Sequence, residues 1–306
     1  MSLESTAPVA LSPSHPIVNG MSVDVEDYFQ VSAFESAVSR DVWSSHACRV
    51  ERNVDRILAM FSDADVKATF FTLGWVAERF PLLVRRIVEQ GHELASHGWA
   101  HVRVTQQTPA EFRDDISRTK ALLEDLGGVE VRGYRAASYS IGRDNLWALS
   151  ELREAGYRYS SSIFPIHHDL YGMPEAPRFP FHPFRNDDFV EIPVTTVHVL
   201  GRQWPAGGGG WFRFFPYVLS RWAIRRVNRK EGMPGVFYFH PWEIDPGQPR
   251  IEGIRRKARF RHYLNLERME NRLMRLLHDL RWDRMDHIFL PDYDRIADQA
   301  GAGGGA

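Results

Sequence analysis

The sequence has very little cysteine, no long apolar run and almost no net charge. Cys48 is the only cysteine among 306 residues, which excludes an internal disulfide and a thiolate-rich metal cluster within this chain. A single cysteine suits a reducing compartment. The formal net charge of −1 gives no overall field that would attract nucleic acid. No run approaches the roughly 18 apolar residues of a spanning helix, so the sequence predicts no transmembrane segment.

Both ends of the sequence lack the patterns of packed structure. Residues 1–16 are rich in Ser, Pro and Ala, without the basic start and apolar centre of a signal peptide, and predict a disordered segment of a cytoplasmic protein. Residues 299–306 are Gly and Ala apart from one Gln, and predict a flexible tail. Residues 17–298 show no internal repeat and no internal boundary. They predict one catalytic domain whose C-terminal extension covers roughly residues 246–298.

Short apolar runs alternate with amphipathic segments along most of the chain. Apolar residues at helical spacing predict a helix over residues 50–61. Thr108, Pro109 and Glu111 supply the N-cap, the first-turn proline and the capping-box acid of another helix. The sequence also predicts single helices over residues 75–90, 211–230 and 256–280 and a last strand over residues 288–291. This alternation predicts an α/β fold with a parallel sheet and covering helices.

Side chains that bind metals or transfer protons follow the predicted ends of several strands. These side chains are Asp24, Glu26, Asp27, His97, His101, Arg135 and His240. In α/β sheets and barrels, reactive side chains cluster where the strands end. The sequence therefore predicts that these groups meet in one site although they lie far apart in the chain.

The chemistry of this set is that of a metal-assisted hydrolase. His97 and His101 are four residues apart, a spacing that on one helical turn directs both imidazoles toward a single metal ion. One carboxylate and two imidazoles, with water in the remaining position, form an open hydrolytic site. A second carboxylate can take a proton from the water, a histidine can donate one to the leaving group, and Arg135 can hold the base through a bidentate contact. The histidines without spacing partners, expected to pack or face solvent, are His92, His167, His168 and His262.

In their order, these motifs resemble those of the NodB-type polysaccharide deacetylases, carbohydrate esterase family 4. The acid cluster, His97-x-x-x-His101, the segment from Arg135 to Ser138, the serines at 160–162 and His240 follow the order of the five family motifs. The resemblance covers roughly residues 17–245. It implies a distorted (β/α) barrel of the NodB type with a C-terminal helical extension. It also implies a hydrolase that removes N-acetyl groups from an amino-sugar polysaccharide with a divalent metal, expected to be Zn²⁺, for which Co²⁺ or Mn²⁺ could substitute.

A narrower resemblance concerns the deacetylases linked to bacterial exosortase (PEP-CTERM) and exopolysaccharide loci. Residues 24–29, the Gly207–Gly210 run with Trp211 and Arg213, and residues 240–245 are similar to that subfamily. The resemblance implies a role in exopolysaccharide biosynthesis.

The resemblance also implies a role for each residue of the set. Direct alignment of the motifs makes Glu26 the base and Asp27 the ligand, whereas strand alternation places Asp24 and Glu26 on one face, which suits a base and a ligand. We favour Asp27 as ligand and Asp24 as base, with Glu26 as the alternative. The full expected set is catalytic Asp24, Glu26, Arg135 and His240, metal-binding Asp27, His97 and His101, and substrate-binding Trp99, Ser138, Tyr139 and Trp242.

The sequence departs from the family pattern at three positions. Ala137 stands where the family has Pro, Ser138 where it has Tyr, and Ser160 where it has Asp. The last change removes a carboxylate that would orient another side chain. Two alternatives therefore stay open: a small-amide hydrolase on the same fold, similar to allantoinase, and an inactive glycan-binding module.

The segment over residues 211–230 combines aromatic side chains with several arginines. One hypothesis is a membrane-surface helix that brings the enzyme to a lipid-linked glycan at the inner membrane surface. The pattern is more typical of a helix that packs its aromatic side chains on the barrel. The expected partners are an N-acetylated polysaccharide and, peripherally, a membrane, with no nucleic acid.

Overall fold

The computed structural model describes residues 7–8, 16–168 and 172–290. The strands in these residues are β1 Ala7–Pro8, β2 Val18–Val25, β3 Thr69–Thr72, β4 Glu93–Ser96, β5 Gly133–Tyr134, β6 Tyr159–Ser160, β7 Phe181–His182, β8 Val190–Glu191, β9 Thr196–Val199, β10 Arg202–Pro205, β11 Val236–Phe239 and β12 Arg281–Asp283. The α-helices are α1 Val50–Asp63, α2 Gly74–Arg79, α3 Pro81–Glu89, α4 Pro109–Gly127, α5 Trp147–Glu154, α6 Gly209–Phe214, α7 Tyr217–Arg226, α8 Arg256–Tyr263, α9 Leu266–Asp279 and α10 Met285–Phe289.

Ten of these strands form one sheet, in the order β1-β7-β8-β6-β5-β4-β3-β2-β11, with β12 also paired to β2. The pairs from β8 to β11 are parallel, and β7 is antiparallel to both of its neighbours. β9 and β10 form a separate hairpin. The result is a mixed α/β fold with a curled half-barrel sheet, which confirms the predicted fold class. This one sheet thus contains strands from residues 7–283.

The central strands are buried because helices cover both faces of a parallel sheet. Every residue of β3 and β4 is buried, as are all residues of β2 after Val18. α1 packs its predicted apolar face inward, with Val54, Ile57 and Phe61 fully buried in the largest core cluster. α4 begins with the predicted capping box, since Thr108 and Glu111 exchange hydrogen bonds between their side chains and backbone amides.

Three helices predicted as continuous are broken. Pro81 starts α3, and Pro216 separates α6 from α7, because a proline disfavours helical geometry in the residue before it. Asn265, at a φ of 51°, separates α8 from α9. None of the described helices has the length and apolar content needed to cross a bilayer.

The ends of the chain differ from the sequence prediction or lie outside the described residues. The prediction of a last strand over residues 288–291 is wrong, because α10 occupies Met285–Phe289. The last strand in the described residues is β12, which pairs with the start of β2. The predicted flexible tail at 299–306 lies outside the described residues. So does the predicted disordered segment 1–16, apart from Pro16 and from β1, whose backbone pairs with β7.

His92, predicted as a packing residue, lies buried before β4 and makes stability depend on pH. Its Nδ1 accepts the Ala68 amide proton at 3.1 Å, and burial lowers its pKa to about 4. Because the unfolded chain binds this proton near pH 6.5, the neutral ring stabilises the fold above that pH, and this contribution is lost as pH falls toward 4. We expect His92→Asn to remove a pH dependence on the order of 2–3 kcal/mol. Chemical denaturation between pH 4 and 7.5 would measure it, and parallel profiles for the two proteins would contradict it.

Candidate metal centre and active site

The C-terminal ends of four strands bring the predicted site residues together. Asp24 is the last residue but one of β2, and Glu26 directly follows that strand. His97 follows β4, Arg135 follows β5 and His240 follows β11. β2 pairs in parallel with β3 and β11, and β3, β4 and β5 pair in parallel in that order, so these ends lie along one edge of the sheet.

Glu26, His97 and His101 form a buried group whose ligand atoms all lie within 4.8 Å of one another. His101 Nε2 is 3.0 Å from Glu26 Oε2, and that buried oxygen has no partner among the described residues apart from this imidazole. A carboxylate with so few partners in a buried setting carries a free-energy cost that a cation can offset. One carboxylate and two imidazoles are also a donor set that Zn²⁺ accepts. These residues therefore fit a divalent metal ion.

The hydrogen bonds of the two imidazoles leave Nε2 of His97 for a metal and place Nε2 of His101 against Glu26. His97 Nδ1 is 2.8 Å from the Arg135 carbonyl oxygen, which can only accept, so Nδ1 carries the proton. Burial lowers the pKa of His97 to about 4, which keeps the ring neutral. His101 Nδ1 lies 3.3 Å from the Ser32 hydroxyl, and its Nε2 faces Glu26. Metal-binding histidines typically fix their tautomer through such a bond on the other nitrogen.

The two histidines do not share a helical turn. The chain between them is a loop in which Gly98 has a φ of 75° and His101 a φ of 51°. This loop turns the chain back, so that the ring centroids lie 5.2 Å apart. The predicted pair is thus brought together, but the helical reason given for it is wrong.

The described structure groups Glu26 with the two histidines, and not Asp27, whose ligand role stays a prediction. The Asp27 carboxylate accepts backbone N–H groups from Tyr28, Arg49 and Val50 at 2.8, 2.6 and 2.9 Å. Arg49 and Val50 lie at the start of α1, so Asp27 caps that helix and is turned away from Glu26 and the two histidines. Burial nevertheless raises the pKa of Asp27 to about 6.

Asp24 is held by Arg135, as predicted, although the contact is not bidentate. Arg135 Nη1 lies 2.5 Å from Asp24 Oδ1, and both side chains are buried. The remaining donors of the guanidinium bind Ser22 and Ser161. Although burial opposes ionisation, Asp24 raises the pKa of Arg135, so the guanidinium stays charged beside the carboxylate. The serine segment after β6, whose motif in the family contains Asp, therefore positions Arg135.

His240 faces both acids across the opening of the site. Its Nε2 lies 3.6 Å from Glu26 Oε1 and 3.9 Å from Asp24 Oδ2, and its side chain is 19% exposed. Burial opposes protonation of His240, but Glu26 and Glu243 raise its pKa to about 9. The ring therefore carries a proton at neutral pH and can donate it from Nε2.

Glu243 is a functional residue that the sequence analysis missed. One of its oxygens accepts the backbone N–H of His240 at 2.9 Å and lies 3.2 Å from Nδ1 of that ring. The other oxygen accepts from Arg213 Nε at 2.8 Å, and both residues are buried. The i, i+3 spacing of His240 and Glu243 could have indicated this pair. Gly209 is required beside it, since a Cβ there would lie 2.1 Å from Glu243 Oε2.

Two of the predicted substrate-binding aromatic residues contact other protein side chains. Trp242 is 5% exposed, with His240 stacked on it at 5.1 Å and His262 at 4.0 Å, and its indole N–H donates to Glu26 Oε1 at 3.2 Å. The indole therefore holds the Glu26 carboxylate, and its substrate role stays a prediction. The ring of Trp99 packs on Gly74, and the Arg118 guanidinium lies over it at 3.3 Å, so it does not present an open face.

The other two predicted substrate-binding residues lie near the loop that carries His97 and His101. Ser138 donates to Ser32 at 2.8 Å, the hydroxyl that contacts His101, and its own side chain is half-buried. Its substrate role stays a prediction. Tyr139 is 4% exposed, with Tyr238 4.8 Å away ring to ring, and its role in sugar binding also stays a prediction.

Comparison with known proteins gives two family matches. Residues 41–160 match the family model described as Polysaccharide deacetylase, and residues 161–290 match the model described as Domain of unknown function (DUF3473). The boundary between the matches follows β6 directly, within the sheet. Asp24 and Glu26 lie outside both matches, and His240 lies in the second.

Curated and solved proteins agree with the first match. The peptidoglycan-N-acetylglucosamine deacetylase of Bacillus cereus is 34% identical over 97 residues, which are 31% of this chain and 35% of that protein. A solved protein of Mycobacterium smegmatis, provisionally described as a polysaccharide deacetylase, gives a TM-score of 0.58 at 20% identity over 96% of both chains. PuuE allantoinase gives a TM-score of 0.54 at 16% identity over 89% of this chain and 88% of that one.

These likenesses differ in what they establish. The chain spans about a third of the length of the first curated relatives that it matches. At 20% and 16% identity, the two solved proteins share the fold, and the fold alone does not separate a polysaccharide deacetylase from an allantoinase.

Proposed function

Because residues 41–160 of this chain belong to the polysaccharide deacetylase family, we propose that the protein is a metal-dependent hydrolase that removes N-acetyl groups from an amino-sugar polysaccharide. The observation that carries the proposal is the meeting of Glu26, His97 and His101 with the Asp24–Arg135 pair and His240 at one sheet edge. A metal-binding group, a base and an acid are the parts that hydrolysis of an amide requires.

The metal would be held by Glu26, His97 and His101, and Zn²⁺ is the expected ion, with Co²⁺ or Mn²⁺ as substitutes. A divalent ion at this position supplies a Lewis acid that polarises the acetyl carbonyl and lowers the pKa of a water molecule. Trp242 and Ser32 orient two of the three ligands from outside, through Glu26 and His101 respectively.

Asp24 is the proposed base. Its Oδ1 is bound by Arg135, while Oδ2 faces His240 across the opening. A carboxylate fixed at one oxygen can accept a proton from water at the other, and Arg135 holds the first oxygen in place. This assignment follows the strand alternation, which puts Asp24 and Glu26 on one face of β2 as base and ligand.

His240 is the proposed acid, which donates its Nε2 proton to the leaving amine. Glu243 on Nδ1 fixes the tautomer and the ring plane, and Trp242 supports the ring from one face.

The direct test is release of acetate from N-acetylated chitooligosaccharides and from peptidoglycan, assayed beside allantoin as a small amide. We expect turnover of the glycans, and turnover of allantoin alone would favour the small-amide alternative. An Asp24→Asn variant provides the inactive control on the same fold. A purified protein with bound metal but no hydrolysis of any of these substrates would favour the glycan-binding module.

Metal removal gives a second prediction. Dialysis against a chelator should abolish acetate release, and Zn²⁺ should restore it, because the buried Glu26 carboxylate and the two imidazoles would lose their shared cation. Metal content and activity are measured on the same sample before and after dialysis. Full activity in a protein shown to be free of metal would contradict the proposal.

The biological setting is also proposed rather than observed. We propose a role in exopolysaccharide biosynthesis, on the resemblance of residues 24–29 and 240–245 to deacetylases of such loci. We place the protein in the cytoplasm, with peripheral association at the inner membrane surface.

A further inference from the structure

Exposed apolar side chains are concentrated in one segment of the chain. Six of the ten large apolar side chains that are exposed in the described residues fall between residues 200 and 222, a density that singles out this segment. They are Leu200, Trp204, Phe214, Val218, Leu219 and Trp222. We call these six residues the apolar patch.

The patch belongs to one packed unit. Val197 and Ala206 of the β9–β10 hairpin pack with Ala223 and Val227 at α7, which fixes the hairpin on the helix. Between them runs an apolar groove whose walls include Trp204, Leu219 and Trp222. Leu200, at the tip of the hairpin, is 95% exposed and projects from this unit.

The stretch of chain that carries the patch has charges of one sign only, although Glu231 and Asp279 lie beside it and pair with Arg178 and Arg221. Residues 192–230 contain no Asp or Glu, although the chain as a whole has 39 acids and 38 Lys and Arg. The same stretch carries Arg202, Arg213, Arg221, Arg225, Arg226, Arg229 and Lys230. Arg213 is neutralised by Glu243 and Arg221 by Asp279. Among the described residues, Arg202, Arg229 and Lys230 are exposed and form no ion pair.

We infer that the apolar patch and its basic border dock on an anionic lipid bilayer. Exposed Trp and Leu flanked by Arg and Lys is the composition of interfacial segments, in which apolar groups enter the headgroup region and cations face acidic lipids. A bilayer matches both the single sign of charge and the projecting hairpin tip. This inference deepens the proposed peripheral membrane association and does not depend on deacetylation.

Docking would also orient the active site. α6, which carries Phe214 of the patch, begins at Gly209 against the Glu243 carboxylate, and its Arg213 binds that carboxylate. The surface that touches the bilayer is therefore one helix away from the residue that positions His240. A docked enzyme would meet glycans at the membrane rather than in bulk solution.

Flotation of the full chain with phosphatidylcholine vesicles, with and without about 30% phosphatidylglycerol, tests the inference. We expect binding to the anionic vesicles that weakens with salt, and at least about tenfold weaker binding for Leu219→Ser/Trp222→Ser. Leu82→Ser/Val129→Ser, at exposed apolar positions elsewhere, should bind like the unaltered chain.

Arg229→Gln/Lys230→Gln should bind more weakly than Arg85→Gln. The Leu219→Ser/Trp222→Ser and Arg229→Gln/Lys230→Gln variants should both keep the acetate-release rate on soluble substrate.

Three outcomes would overturn the inference. One is absence of binding to anionic vesicles at low salt, and another is equal loss in the patch and control variants. The third is a stable dimer, measured by analytical ultracentrifugation, that Leu219→Ser/Trp222→Ser dissociates, since a second copy would then be the occupant. Because flotation needs no catalysis, these results are separate from a failure of the deacetylase proposal.

Discussion

Replacing Glu26 with Ala is expected to leave the purified protein without stoichiometric metal and to lower acetate release at least about 10³-fold. Glu26 supplies the carboxylate of the buried group with His97 and His101, and the described residues offer no other carboxylate there. Two imidazoles alone are a weak site for a divalent ion. Metal content by mass spectrometry and acetate release on the same preparation measure the effect.

Asp27→Ala is the matched control, one residue away. Its carboxylate caps α1, so we expect metal and activity to remain while the free energy of unfolding falls by about 0.5–2 kcal/mol, the usual effect of losing a cap. Thermal unfolding separates the two variants, because Glu26→Ala leaves the cap in place. If Asp27→Ala lost the metal and Glu26→Ala kept it, Asp27 would be the ligand instead of Glu26, as the direct alignment of the motifs has it.

Local patterns predicted which strands deliver the site residues. An apolar strand that runs directly into acids identified the end of β2, and its two-residue alternation put Asp24 and Glu26 on one face. The same reasoning located His97 after β4 and His240 after β11, because parallel strands place their C-terminal ends at one edge.

Such local patterns do not predict contacts between distant segments of the chain. α1 begins at Val50 after Arg49, which supplies no side-chain cap, and the cap comes from Asp27, 22 residues before Arg49. Nothing near Asp27 in the sequence shows that its oxygens are already occupied. The approach of His97 to His101 likewise depends on a left-handed turn at His101, a conformation that non-glycine residues adopt infrequently.

Replacing His240 with Ala is expected to lower kcat about 10²- to 10⁴-fold, because the leaving amine would lose its proton donor. Glu243→Gln should lower kcat by about 10²-fold or more without removing the histidine. The Glu243 carboxylate accepts from His240 on one side and from Arg213 on the other. A Gln amide has a single acceptor oxygen, so its NH₂ group must face a donor on one of the two sides.

Asp245→Asn controls for the loss of a buried acid in the same segment. Asp245 is also buried and held by an arginine, Arg49 at 2.5 Å, and it has no contact with His240. We expect this variant to lose stability but to keep kcat, whereas Glu243→Gln loses kcat with little change in KM. The basic limb of the kcat–pH profile should also move to lower pH in Glu243→Gln, since Glu243 raises the pKa of the acid His240. Equal kcat for Glu243→Gln and the unaltered protein would remove Glu243 from the site and leave His240 oriented by its stacking on Trp242 alone.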